Sequence, residues 1–232
     1  MTTDIVVMTC ERLECLMQTL RYIWDRTFTP YRLCVIDDAS TEGNAAFVES
    51  LRDQGMLDDA LLRTERAGIS ENLRMVEALT TSDPVVFTDD DILCPCLEPD
   101  WLARGLEAME QYPELGLLAL NNPQCNVGGD KRRRKVEMGD LVTLCRNVPG
   151  SFVFVRRAVL AACCPPDGVQ SPVKLMCRMA RVRGWQVGYL THVYCQHIGI
   201  RSVRAGKDLT GLAELVLPVD GKTLEPPEEF RG

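Results

Sequence analysis

Histidine is nearly missing from this chain: His192 and His197 are the only two in 232 residues. Any imidazole chemistry therefore falls to one of them. Positive charge is also in deficit, with 26 Lys and Arg against 33 Asp and Glu and a formal net charge of −7. That balance argues against broad binding to nucleic acid or anionic membranes. No apolar run approaches the roughly 20 residues of a membrane span. The opening residues, MTTDIVVMTC, lack the basic start of a secretory leader and pass straight into a strand-like run. Internal repeats are absent, and nothing marks a second independent domain. Paired cysteine units are absent too. The eleven cysteines include Cys94-Pro95-Cys96, Cys163-Cys164 and Cys195-Gln196-His197, none spaced as a structural zinc site requires. Cys10, Cys15, Cys34, Cys145 and Cys177 sit among apolar residues as small core groups. Without a leader, that many cysteines point to reduced thiols in the cytoplasm.

What is present is an ordinary globular composition, 46% hydrophobic and 25% charged. The pattern alternates. Residues 4–9, DIVVMT, form a short β-rich run. Residues 11–26 place Leu13, Leu16, Leu20 and Ile23 on one helical face. RLCVID at 32–37 is a second strand, and a turn leads to a helix near 43–54. A short strand falls near 60–64, and a helix near 70–80 carries Leu73, Val76 and Leu79. PVVFT is the third strong strand. Pro99 opens another helix, with Trp101, Leu102, Leu106 and Met109 inward, and LGLLAL follows as a strand. Strands alternating with helices predict an α/β fold with a Rossmann-like, mostly parallel, buried central sheet and flanking helices.

Ligands of such sheets bind at the carboxyl ends of the strands. Three polar clusters fall there: Thr9-Cys10-Glu11, Asp37-Asp38-Ala39-Ser40 and Asp89-Asp90-Asp91. The last, in VVFTDDDIL, sets three carboxylates in a row. At 4 Å and an effective dielectric near 20, two such charges repel by roughly 4 kcal/mol. A turn after a strand accounts for aspartate in general, but three together call for positive compensation.

IVVMTC, CVIDDAST and VVFTDDDILCP, in that order and spacing, resemble the nucleotide-sugar-binding half of the family-two glycosyltransferases of GT-A fold. GISENLRMVEAL resembles the segment of that family with a Gly and an Asn before the acidic strand. The resemblance is good over residues 4 to about 120, weaker from 145 to 200 and absent beyond. It implies one GT-A domain over 1–200, with a nucleotide-sugar-binding half at 1–120 and an acceptor half at 121–200, followed by a polar tail at 201–232.

That family's donor is a nucleotide-diphospho-sugar. A divalent cation shared between carboxylates and the diphosphate neutralises both and stabilises the leaving group, and hard oxygen ligands suit Mn2+ or Mg2+. By resemblance, Asp89 and Asp91 flank the cation and Asp90 touches ribose or metal. Asp38 accepts from the imide of the base, with Asp37 and Thr9 beside it and Asn72 assisting. Uracil fits such an acceptor, so a UDP-sugar is the expected donor. Asp37 and Asp38 have a plainer alternative as caps of the turn into STEGN. VPGSFVFVRRAVL resembles the segment beside the donor sugar, where Gly150 allows close backbone approach; its alternative is a turn glycine before a strand. THVYCQHIG resembles the late strand whose histidine ligates the metal in some members, which makes His197 the third metal candidate and leaves His192 structural.

One departure stands out. Inverting members carry a Glu-Asp pair at a helix start, about a dozen residues before a Gly-aromatic. Gly184-Trp185 matches the end of that segment, but the pair's positions hold Pro172 and Val173. Neither is a base. Asp167, in CCPPDGVQ, is the first substitute and Asp140 a weaker one; a retaining or an inactive protein would need neither. The run Lys131-Arg132-Arg133-Arg134-Lys135 is a solvated loop by default. It also suits an anionic acceptor, and less well a polynucleotide, since no aromatics interleave for stacking. The resulting expectation is a metal-dependent glycosyltransferase with an unidentified acceptor. A nucleotidyltransferase is a rival, yet it would want a glycine-rich loop where VMTCERLE has none. An inactive nucleotide-binding module is the other.

Overall fold

The computed structural model describes residues 2–41, 43–123 and 136–199. The basic run at 131–135 and the tail at 201–232 lie outside the described residues. One compact unit spans Met1–Ile198. In order it holds β1 (Thr3–Thr9), α1 (Leu13–Arg26), β2 (Tyr31–Asp37), α2 (Asn44–Asp53), β3 (Asp59–Leu62), α3 (Ile69–Leu79) and β4 (Val85–Asp89). There follow β5 (Ile92–Leu93), α4 (Trp101–Gln111), β6 (Leu115–Asn121), β7 (Val136–Met138), β8 (Val142–Leu144) and β9 (Val153–Val155). The last elements are α5 (Arg157–Cys163), α6 (Pro172–Val182), β10 (Gln186–Tyr194) and β11 (Gln196–His197).

Among the described residues the main sheet has nine strands in the order β3-β2-β1-β4-β9-β6-β10-β8-β7. The run β3-β2-β1-β4 is wholly parallel. β9 then enters antiparallel between β4 and β6, and β8 runs against both β10 and β7. The mostly parallel sheet expected from the alternation therefore carries two reversed strands, both of three residues. Each is too short to display a direction in its sequence.

Strand alternation sorts the core into two layers. Ile5 and Val7 of β1 face one side with Leu16, Leu20 and Ile23 of α1, Val48 of α2 and Leu102 of α4. Val6 and Met8 face the other with Leu73 and Val76 of α3, Val159 and Leu160 of α5, and Met176 of α6. β1 is buried along its whole length, as a central strand covered on both faces must be. The cysteine pattern is also explained: Cys34, Cys94, Cys163, Cys177 and Cys195 are buried, and the described cysteines are free thiols.

α4 approaches the sheet closely because Gly105 has no side chain. A Cβ there would stand 2.0 Å from Phe154 Cζ, and Phe154 is fully buried against the edge of Trp101. Gly105→Ala is expected to destabilise the chain by about 1–3 kcal/mol through overpacking, despite the roughly 1 kcal/mol that alanine gains in helix propensity. Urea denaturation checks this, and a stabilised variant would contradict the packing described.

Candidate active site at the acidic sheet edge

The register of β1 joins the three polar clusters. Thr9 stands opposite Asp37 on β2, and Met8 stands opposite Asp89 on β4. The strand ends that sequence placed at one edge do meet there.

The three aspartates then diverge in role. Asp90 is fully buried. Its Oδ2 accepts from Thr9 Oγ1 at 2.6 Å, and its carbonyl accepts from Thr19 Oγ1 at 2.7 Å. Asn44 Nδ2 in turn donates to Thr9 Oγ1 at 3.0 Å. Thr9 and Asp90 thus spend their polar groups inside the protein, fastening α1 and α2 to the end of β4. Asp89 is partly buried beneath the turn at Gly150. The Asp89 amide donates to the Gly150 carbonyl at 3.3 Å, and a Cβ on Gly150 would lie 3.0 Å from Asp89 Oδ2. The following turn is pinned by Phe152, held at φ 47. Its amide donates to Thr88 Oγ1 at 3.3 Å, and its ring packs on Trp101 with centroids 4.6 Å apart.

Asp91 is brought to His197 by a two-stranded ribbon. β11 pairs antiparallel with β5, with His197 opposite Ile92, and the Ile198 amide donates to the Asp91 carbonyl at 2.8 Å. His197 Nε2 then lies 3.6 Å from Asp91 Oδ1, an oxygen that receives no hydrogen bond from the described residues. Among the described residues, no three His, Cys, Asp or Glu side chains converge as a closed metal cage. Asp91 and His197 are adjacent; Asp89 does not complete a triad with them.

The compensating positive charge is Arg12, which sequence reasoning missed. It stands just ahead of α1, and its two terminal nitrogens fork onto Asp91 Oδ2 and Asp90 Oδ1. A basic residue directly after the polar cluster at the end of β1 was the available signal. Burial works against the charge of Arg12, but Asp90, Asp91 and Asp89 outweigh it and raise its pKa. Burial, followed by the charges of Asp91 and Asp90, pushes Asp89 up to about 7. Burial, opposed by Arg12 and Thr9, pushes Asp90 up to about 6. Burial lowers the pKa of His197, against the pull of Asp91.

At the end of β2 the two aspartates also separate. Asp37 is fully buried and both its oxygens accept from Ser40, the amide at 3.0 Å and the hydroxyl at 2.5 Å. It caps the turn. Asp38 does not; its oxygens accept from the amides of Ala67 at 2.8 Å and Gly68 at 2.9 Å, clamping the loop before α3. Arg63 Nε lies 3.9 Å from Asp38 and donates to Asn72 Oδ1 at 3.0 Å, so Asp38 and Asn72 share a neighbour. Glu11 adopts φ 60; its amide donates to Ser40 Oγ at 2.8 Å, and its carboxylate accepts from Arg66 at 2.6 Å. A cleft of about 320 Å³ opens between the start of α3 and residues 168–172. Asp167, at the rim of that loop, is exposed and paired with Arg74 of α3 at 2.9 Å. Asp140 lies in the exposed turn between β7 and β8. Pro172 and Val173 do begin a helix, α6, which places the missing acidic pair where the resemblance put it.

A family model described as Glycosyl transferase family 2 matches residues 4–159. The chain belongs to that family. Solved structures of GT-A glycosyltransferases share its fold. A mannosyltransferase from Pyrobaculum calidifontis, in complex with GDP-Man and Mn2+, has 20% identity and a TM-score of 0.70, over 84% of this chain and 56% of that one. S. aureus TarS 1-349 in complex with UDP-GlcNAc has 15% identity and a TM-score of 0.64, over 89% and 60%. GalNAc-T7 with UDP, GalNAc and Mn2+ has 12% identity and a TM-score of 0.65, over 84% and 43%. The chain thus spans about half the length of these proteins. No curated protein sequence matches it. The GT-A fold expected from the motifs is the fold observed, and no helix among the described residues is long and apolar enough to cross a membrane.

The residues present fit a divalent cation. Among the described residues Asp91 Oδ1 has no donor, and a carboxylate beside an imidazole is a donor set that Mn2+ accepts. A carboxyl whose pKa is higher folded than unfolded holds its proton more tightly in the fold, so its ionisation costs stability. Stability of the chain stripped of divalent ions with EDTA should therefore fall as pH rises from the unfolded value, 3.8, to about 7. Asp89→Asn should remove the part of that fall between about pH 6 and pH 7, above the range in which Asp90 also ionises, measured by urea denaturation. An unchanged slope would contradict the burial assigned to Asp89.

Proposed function

We propose that this chain is a metal-dependent glycosyltransferase domain, spanning 1–200, that moves a sugar from a nucleotide-diphospho-sugar to an acceptor hydroxyl. UDP-sugar is the first donor to test. The observation that carries this is the meeting of Asp91 and His197 across the β5–β11 ribbon at 3.6 Å, at the end of the strand beside β1. Family membership supports the reaction class, and Mn2+ in two of the similar structures supports the ion. The free thiols and net negative charge agree with a reduced, cytoplasmic setting.

Asp91 and His197 would hold Mn2+ or Mg2+, with the diphosphate oxygens completing the shell. When bound, that ion neutralises the departing nucleoside diphosphate. His197 must offer a lone pair, and burial keeps it in the neutral form that does so. Gly150 leaves room for the donor sugar above Asp89. Asp38 holds the loop before α3 beside the cleft, and that place beside the cleft supports its assignment to the base; Asn72 is linked to it through Arg63. Thr9, Asp37 and Asp90 act from beneath by fixing the loops. Asp167 is the proposed base; it is exposed at the rim and would have to leave Arg74 to take an acceptor's proton. The acceptor is unidentified, and an anionic one would suit Lys131–Lys135.

A second reading, a nucleotide-binding module without turnover, is favoured by Pro172 and Val173 at the helix start where an acid pair would stand. Calorimetry with UDP and Mn2+, paired with a donor-hydrolysis and transfer assay, separates the two: binding with no turnover on any donor favours the module. Asp91→Asn is expected to abolish Mn2+-dependent UDP binding while the circular dichroism spectrum stays native. Unchanged UDP binding would contradict the site.

A further inference from the structure

We infer that Arg12 is an exchangeable resident cation of this site: it holds Asp91 in the metal-free chain and yields Asp91 to the divalent ion while keeping Asp90. The inference rests on the metal-dependent function proposed above and assigns a metal-gating role to a residue outside the expected ligand set.

The two arms of the Arg12 fork are unequal: the arm to Asp91 Oδ2 is a hydrogen bond, and the arm to Asp90 Oδ1 is an ion pair. Asp90 is fully buried, and its second oxygen is fixed by Thr9 at 2.6 Å. Thr9 is itself held by Asn44 at 3.0 Å. That carboxylate has no freedom to leave. Among the described residues, Asp91 accepts a hydrogen bond from Arg12 through Oδ2, while its Oδ1 accepts none and lies 3.6 Å from His197 Nε2. The Arg12 side chain is 38% exposed, so the guanidinium can shift toward solvent without leaving the protein. Its root is fixed, because Glu11 before it is tied to Ser40 and Arg66, and α1 begins directly after it.

Guanidinium and divalent cation both need the carboxylate of Asp91. Two cations on one carboxylate repel each other, so binding of the ion weakens the Arg12–Asp91 arm and the reverse. The Asp90 arm survives, which keeps the guanidinium at the edge of the site. The freed terminal nitrogen would then be available to donate to a phosphate oxygen of the nucleotide. Arg12 is a positioning residue in this account: it prevents three carboxylates from standing uncompensated before substrate arrives, and it couples metal entry to nucleotide entry.

The test is Mn2+ binding, read as free Mn2+ by electron paramagnetic resonance, in wild type, R12Q and R12K, each with and without UDP. Without UDP, R12Q should bind Mn2+ about tenfold more tightly, the scale of one charge-assisted hydrogen bond. R12K keeps the charge but lacks the fork, and should gain part of that. UDP should tighten Mn2+ binding more in wild type than in R12Q, since only wild type has an arm to transfer. If R12Q does not fold, R12K alone decides. R12K at the wild-type affinity, or R12Q binding Mn2+ equally or more weakly, overturns the exchange while leaving the metal site standing. Folded proteins that bind no Mn2+ with or without UDP would overturn the metal-dependent function and this inference together.

Discussion

Three successive carboxylates at the end of a buried strand need a positive partner, and the structure arranges itself around supplying one. Arg12 spans Asp90 and Asp91, and the loops that hold Arg12 are the loops that shape the edge. Glu11 ties the end of β1 to Ser40, Asp37 closes the turn that carries Ser40, and Asp38 clamps the chain entering α3. Loosening one of these contacts disturbs the position of the others. The acidic edge is therefore the hub of one connected polar network in which most members face inward and few face the solvent.

That division was only partly legible in the sequence. The strong strands and amphipathic helices were, because continuous apolar runs such as IVVM and regular spacings such as Leu16, Leu20 and Ile23 report burial directly. The reversal of β9 and β8 was not, since three-residue runs such as VFV and VTL carry no sign of strand direction. The site was legible as a place: Thr9, Asp37, Asp38, Asp89, Asp90 and Asp91 do gather at one edge. Their roles were not. Adjacent aspartates alternate in direction along a strand end, so Asp90 turns into the protein while Asp91 faces His197, and Asp37 caps its own turn while Asp38 reaches a loop 29 residues away. Arg12 escaped notice because its partner Asp91 lies 79 residues on and Asp90 one fewer, and pairing at that distance depends on β1 and β4 being neighbours.

His197 shows how a short element can decide chemistry. β11 contains two residues, yet its pairing with β5 carries the imidazole to Asp91. The same economy appears at Gly150, where the lack of a Cβ sets how near the chain passes to Asp89. Family membership accounts for the framework; these local contacts account for what the framework presents. Pro172 and Val173 stand at the start of α6, where the resemblance placed an acidic pair.

A crystal structure of the chain with UDP and Mn2+, with manganese located by its anomalous scattering, tests the central claim most directly. The account predicts an anomalous peak within bonding distance of Asp91 and His197, with Arg12 still on Asp90 but withdrawn from Asp91. A fork still closed on Asp91, with no manganese between that carboxylate and His197, would contradict it.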